Sequence, residues 1–330
     1  MSLANQTVLV TGATGFLGGA LARRLAADGA QVKALARNLD RTGYIRDVRG
    51  IEIVEGNITD FEATTRISEG CTTVFHVAAA TNGFMQEQLD TNRDGTLNVA
   101  KGAAANGVRR FVHVSTISVY GYKQRGDVTE ATPPDPGHDP YGITKRMAEL
   151  AVMRVSDETG MDYTIVRPGM IYGPRSGMWT SFFYRVAQMR PTIWIGAGEG
   201  NCFPIHVDDV VDLLVTVARH DAASKQVFNC TPDPSPTWRE FLGLYAHLAG
   251  HQRWLGIPPG ILQPLLNFAG RSAPDNTPFK DLPDLLPFVQ ANLTYRMDKA
   301  HNLLDWQPQV ELTDGIIGCV PWLREAGLLA

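Results

Sequence analysis

No stretch of this sequence is long and apolar enough to span a membrane. The nearest candidate, residues 257–269, is broken by Pro258, Pro259, Gln263, Pro264 and Asn267. It also falls short of the ~20 residues a crossing helix needs. An excess of one charge is missing too: 30 Lys and Arg against 34 Asp and Glu leave a formal net charge of −4. Neither nucleic acid nor an anionic membrane is therefore expected as a partner. Cysteine is scarce, and Cys71, Cys202, Cys230 and Cys319 include no close pair. A disulfide framework, a zinc site or a redox motif is thus not expected, and reduced thiols in a cytoplasmic protein fit the pattern. Val8-Leu9-Val10 opens an apolar strand pattern almost at once, so no signal peptide is expected. Repeats and low-complexity segments are absent as well.

What is present suits a globular enzyme. The 44% hydrophobic and 19% charged fractions are ordinary, and 330 residues suffice for a large nucleotide-binding domain plus a smaller partner. Short β-branched runs at residues 7–10, 31–35, 51–55, 73–77, 110–115 and 164–167 alternate with helical patterns. One such helix is residues 16–27, with Leu17, Leu21 and Leu25 on one face. This alternation predicts an α/β doubly wound parallel sheet. After Pro168 the rhythm fades, although residues 205–219 read as a turn entering an apolar helix and residues 227–229 as a last strand. The expected division is residues 1–170 plus 205–231 for the Rossmann domain, and 171–204 plus 232–330 for a smaller, mostly helical substrate domain.

The first strand runs into Thr11-Gly12-Ala13-Thr14-Gly15-Phe16-Leu17-Gly18. A strand, a glycine-rich turn and an amphipathic helix in succession let backbone amides approach a pyrophosphate at the helix's positive end. Tyr141-Gly142-Ile143-Thr144-Lys145 places Tyr141 and Lys145 at i and i+4, on one helical face. An ammonium there, with the nicotinamide ring, would draw the phenol from its usual value near 10 toward working pH. The phenol could then exchange a proton with a carbonyl or alcohol oxygen.

The spacing Gly12-x-x-Gly15-x-x-Gly18 with Gly15-Phe16-Leu17-Gly18 resembles the extended, epimerase-like branch of the short-chain dehydrogenase/reductase superfamily. The resemblance continues across nearly the whole chain. It implies an NAD(P)-binding oxidoreductase with Tyr141 and Lys145 as catalytic pair. Thr116, five positions before Gly121, would be the hydroxyl that fixes the substrate oxygen, with Ser115 or Ser118 as alternatives. Cofactor contacts implied are Gly12, Thr14, Gly15, Phe16, Leu17, Asn57, Ile58, the turn Ala78-Ala79-Ala80, Asn92, Tyr141, Lys145, Pro168, Gly169 and Ile171. Asn92 would support the active-site lysine through backbone and water contacts.

Arg37 stands where an NAD enzyme of this kind carries an acid for the ribose hydroxyls. Its charge and planar donor fork suit a 2′-phosphate, so NADP(H) is expected, with NAD(H) possible and Arg41 as an alternative phosphate partner. His76 is expected to be a packed strand-end histidine. His206, with Asp208 and Asp209, is expected to be structural, the aspartates anchoring the following helix; no metal site is expected.

Three departures bear on substrate. Ile117 and Ser118 replace the Asp-Glu pair of sugar-nucleotide dehydratases. Met170 and Asn201 stand where epimerases of this branch carry asparagine and arginine. The rest resembles the hydroxysteroid dehydrogenase and dihydroflavonol/cinnamoyl reductase side. A pocket for an apolar or ring-bearing small molecule is expected from Phe84, Met85, Ser118, Met170 and Trp179, with Phe182, Phe183 and Trp194 as further apolar candidates. Two other readings stay open: a sugar-nucleotide epimerase or dehydratase with tightly held NAD, and a non-catalytic dinucleotide-binding subunit. Members of this branch often dimerise through a four-helix bundle that includes the Tyr141 helix, so a homodimer is possible.

Overall fold

Seven strands form one wholly parallel sheet. Reading across it, the order is Gln226–Cys230, Asp162–Pro168, β5 (Arg110–Val114), β4 (Thr73–His76), β1 (Thr7–Thr11), β2 (Gln31–Ala36) and β3 (Ile51–Glu55). The computed structural model describes residues 2–274 and 278–329. From β1 the chain winds outward through β2 and β3, then returns to the other side of β1 through β4 and β5. The strand order therefore reverses between β1 and β4, where open α/β sheets hold their ligands at the carboxyl ends.

Parallel strands need crossovers. α1 (Phe16–Ala27) and the helix Val207–Arg219 cover one face; α2 (Phe61–Ser68), α4 (Thr96–Ala105) and α5 (Pro140–Thr159) cover the other, the short α3 (Met85–Gln88) coming between α2 and α4 in the chain. β1 shows why both faces are dry. Val8 and Val10 join the core under α1, and Leu9, pointing the opposite way, joins the core under α4 and α5. Leu21 and Leu25 of α1 are fully buried against Leu213 and Leu214 of the covering helix. Each such side chain contributes about 1.5–3 kcal/mol on burial.

Beyond the main sheet lie three short parallel pairs that the sequence pattern did not announce. Met170–Tyr172 pairs with Pro204–His206, Thr192–Ile195 with Trp254–Ile257, and Gly126–Val128 with Leu293–Tyr295. They are too short to show a period. An aromatic core that includes Phe183, Tyr184, Trp238, Phe241 and Tyr245 fills this region. One segment departs from the expected division. The helix Asp298–Leu304 and Trp306 pack into the sheet core, beside α1 and Val207–Arg219. The Trp306 indole there donates to Asp212 at 2.9 Å. An apolar helix face does not say which of two cores it will join.

Candidate active site

The glycine loop lies at the strand-order reversal. Gly12 adopts φ +71° and presses against the turn after β4; a Cβ there would sit 2.7 Å from the Ala78 nitrogen. A Cβ on Gly18 would run into the Gly12 carbonyl oxygen, so the loop closes onto the first turn of α1 only with glycine there. α1 starts at Gly15 with no side-chain cap and no acid in its first turn. Its leading amides, which have no intrahelical acceptor, are thus free of a competing group and fit a pyrophosphate. Thr14 and Phe16 are half-buried at this loop, Gly15 is exposed, and Leu17 turns into the core.

A chain of hydrogen bonds joins this loop to the Tyr141 helix. The Thr11 hydroxyl accepts from the Val77 and Ala78 amides, both at 3.2 Å, so its own proton goes to His76 Nδ1 at 2.9 Å. His76 must then be neutral with the proton on Nε2, which donates to Thr96 Oγ1 at 2.9 Å. Burial, with the nearby Lys145 charge, pushes His76 down to about 3. It is a packed, hydrogen-bonded strand-end residue, as expected. Thr96 donates to the Asn92 carbonyl oxygen. Asn92 sits in a π-helical turn, Leu89–Gly95. Its side chain accepts from the Ala80 amide at 2.7 Å and donates to the Ala80 carbonyl at 2.9 Å and to Thr144 Oγ1 at 3.0 Å. Its side chain thus fastens the Ala78–Ala80 turn to α5 through Thr144, one residue from Lys145.

α5 begins where Asp139 accepts from the Tyr141 and Gly142 amides, with Pro140 as the first helical residue. Tyr141 is therefore in the opening turn and Lys145 one turn on. The Lys145 ammonium is buried and donates to the Val114 carbonyl at 2.6 Å. Burial lowers it to about 7, against the opposing pull of Glu149. Burial and the Asp139 carboxylate push Tyr141 up to about 12. The Lys145 ammonium, engaged by that carbonyl, does not offset this rise.

Thr116 follows β5 and caps the short turn Ile117–Tyr120, accepting from the Ser118 amide and donating to Ser118 Oγ, each at 3.1 Å. A Cβ on Gly142 would lie 2.7 Å from the Ser118 carbonyl oxygen. The turn after Thr116 is thus pressed on the start of α5, while Val114 just before it receives Lys145. Thr116, Ser118, Tyr141 and Lys145 belong to one packed junction.

The remaining candidates spread around it. Arg37 is exposed just past the end of β2, and Arg41 is exposed in the turn that follows. Asn57 is exposed and uses its acceptor on the Thr59 amide at 3.2 Å; Ile58 is buried against Gly95. Pro168 closes its strand, the Gly169 amide bonds the Cys230 carbonyl at 2.9 Å, and Ile171 pairs with Ile205. The apolar candidates differ in burial. Phe84 is 83% exposed, Met85 begins a short helix at half burial, and Met170 lies in the aromatic core. Trp179 packs on that core, stacked on Phe183 with centroids 5.4 Å apart. His206 caps the helix Val207–Arg219 through its ring nitrogen, and Asp209 accepts from the Gln309 and Val310 amides. The cap is thus the histidine rather than an aspartate, and the described residues hold no metal-binding cluster.

A buried ion pair under the site had no sequence reading. Arg167 makes two bonds of 2.8 Å to Glu149 and a third of 2.7 Å to the Tyr120 hydroxyl, which donates to Asn229 at 2.9 Å. The one available hint was Glu149 at i+4 from Lys145.

A doubly wound sheet with an uncapped glycine-loop helix and a buried lysine one turn after a tyrosine defines a dinucleotide-binding enzyme. The chain belongs to the NAD-dependent epimerase/dehydratase family, whose model matches residues 8–231, within the extended short-chain dehydrogenase/reductase group. It is 29% identical to a ceramide reductase of Caulobacter vibrioides over 99% of this chain and 97% of that protein. A UDP-glucose 4-epimerase of Mycolicibacterium smegmatis is 30% identical over 96% and 98%. Among solved structures, an epimerase from Methanothermobacter thermautotrophicus superposes with a TM-score of 0.80 at 24% identity, over 98% and 94% of the two chains. No described helix is long and apolar enough to cross a membrane.

Proposed function

We propose that this chain is an NADP(H)-dependent oxidoreductase that moves a hydride between nicotinamide and a carbonyl or hydroxyl group of an apolar or ring-bearing small molecule. The nicotinamide, when bound, gives or takes the hydride. Tyr141 exchanges the proton with the substrate oxygen, the Thr116 hydroxyl holds that oxygen in place, and Lys145 contributes positive charge and donors for the nicotinamide ribose. Arg37 carries the cofactor assignment: an exposed guanidinium stands at the end of β2 in place of an acid. The proposed division of labour puts the cofactor on residues 1–170 plus 205–231 and the substrate chiefly on the remainder.

A reductase is favoured over a sugar-nucleotide epimerase by Asn201. Its side chain donates to the Ser235 carbonyl and accepts from the Leu293 amide, both at 3.0 Å. It ties the region together and supplies no positive charge of its own for a diphosphate. The epimerase reading keeps the support of the 30% identical relative.

Fluorescence titration with NADPH and NADH, in wild type and Arg37→Ala, tests the cofactor. A preference for NADPH that Arg37→Ala abolishes supports the proposal. Equal binding, or preference for NADH, sinks it and favours the epimerase, which turnover of UDP-sugars beside cyclic and aromatic ketones would then show.

A further inference from the structure

The helix Pro259–Ser272 turns an apolar stripe outward. Ile261, Leu265 and Phe268 stand at i, i+4 and i+7, on one side of the helix, and are 62%, 64% and 74% exposed. Its other side is anchored: Gly270 packs on Pro283, and Gln263 donates to the Pro283 carbonyl at 3.2 Å. The stripe is thus a fixed surface of a packed helix. The strand before it adds Leu255, which is exposed opposite Ile193 across the Thr192–Ile195/Trp254–Ile257 pair.

The stretches of chain that build this surface lack acidic residues. No Asp or Glu occurs between Glu240 and Asp275, although one residue in ten of the whole chain is acidic. Within that stretch Arg253, before the helix, and Arg271, in its last turn, are both exposed. The adjoining strand comes from a second acid-free stretch, between Asp162 and Glu199, which exposes Arg185 and Arg190. Asp281, in the turn before the next helix, is buried on the His138 amide; Asp284 in that helix is half-buried. A chain-wide charge of −4 averages this local asymmetry away. An outward apolar stripe bounded by arginines is the pattern of a helix lying in a membrane interface, with its apolar side among acyl chains and its cations at anionic headgroups.

We propose that the helix Pro259–Ser272 is a peripheral docking surface that seats this chain on an anionic phospholipid bilayer. The stripe enters the interface without spanning it. The purpose of the contact rests on the reductase reading: a carbonyl or alcohol substrate apolar enough to reside in a membrane would be met there.

The test is cosedimentation of the full chain with vesicles of phosphatidylcholine alone or with 30% phosphatidylglycerol. The double variant Leu265→Glu/Phe268→Glu and the charge variant Arg253→Glu/Arg271→Glu are run beside wild type. Wild type is expected to partition onto the anionic vesicles and at least tenfold less onto neutral ones, with both variants at least tenfold weaker than wild type on the anionic vesicles. Unchanged NADPH binding by the variants shows that they are folded. No partitioning onto anionic vesicles, or partitioning that the double variant leaves intact, overturns the proposal. So does light scattering that shows a dimer dispersed by the double variant with no vesicle binding, which would make the stripe an interface between two copies. Failure of every carbonyl to be reduced with NADPH would sink the reductase reading while leaving vesicle binding to decide the surface.

Discussion

The Lys145 ammonium donates to the Val114 carbonyl oxygen at 2.6 Å, from one turn beyond Tyr141 on α5. That bond ties α5 to the end of β5, two residues before Thr116. Tyr141→Phe is expected to lower turnover by about 10²–10⁴, the usual contribution of a positioned acid–base group, while leaving NADPH affinity nearly unchanged. Lys145→Met is expected to lower turnover and weaken NADPH binding together. Steady-state kinetics with fluorescence titration separates the two, and full activity of Tyr141→Phe would remove it from the proposed role.

Asn92 holds both backbone groups of Ala80 and the Thr144 hydroxyl. Asn92→Ala strands buried polar groups, each worth about 1–3 kcal/mol. Lower stability in urea is expected, together with weaker cofactor binding because the turn at Ala78–Ala80 loses its tie to α5. Asn92→Asp keeps the acceptor for the Ala80 amide and should fall between. Equal stability of all three proteins would contradict this arrangement.

His76 sets an acid limit on stability. Its folded value is near 3, against about 6.5 in an unfolded chain. Between those values the unfolded state binds the extra proton, so stability falls as pH falls from 6.5 toward 3. Burial shifts His113, stacked on it at 5.5 Å, in the same direction. Melting temperature followed from pH 7 to pH 4.5 should drop more steeply in wild type than in His76→Gln. Parallel curves would show that other groups dominate.

Glu149 and Arg167 form a buried pair in which each side chain answers the other. Burial raises the carboxyl, and the Arg167 bonds and charge outweigh it to leave Glu149 below its ordinary range. Glu149→Gln leaves a buried guanidinium without its counter-charge and is expected to cost about 3–5 kcal/mol. The double variant Glu149→Leu/Arg167→Met removes both charges and should cost less than the single one. Chemical denaturation of the three proteins measures the difference, and a single variant as stable as wild type would contradict it.

The linear sequence determined the local features of this protein. Strand periodicity, the three-residue glycine spacing and the i, i+4 placement of Tyr141 and Lys145 depend on neighbours a few residues apart, so β1–β5 and α1 were legible within a residue or two. The role proposed for Thr116 rests on family resemblance. Tertiary structure alone decided the rest, because the partners are distant in sequence. Thr11 lies 65 residues from His76, and Asn92 is 52 from Thr144. It also decided that Lys145 meets the Val114 carbonyl and that Trp306 joins the sheet core. The same limit separates the two apolar sets. Among the apolar pocket candidates Phe84 is exposed and Met170 buried, and only burial in three dimensions distinguishes an exposed ring from a packed side chain.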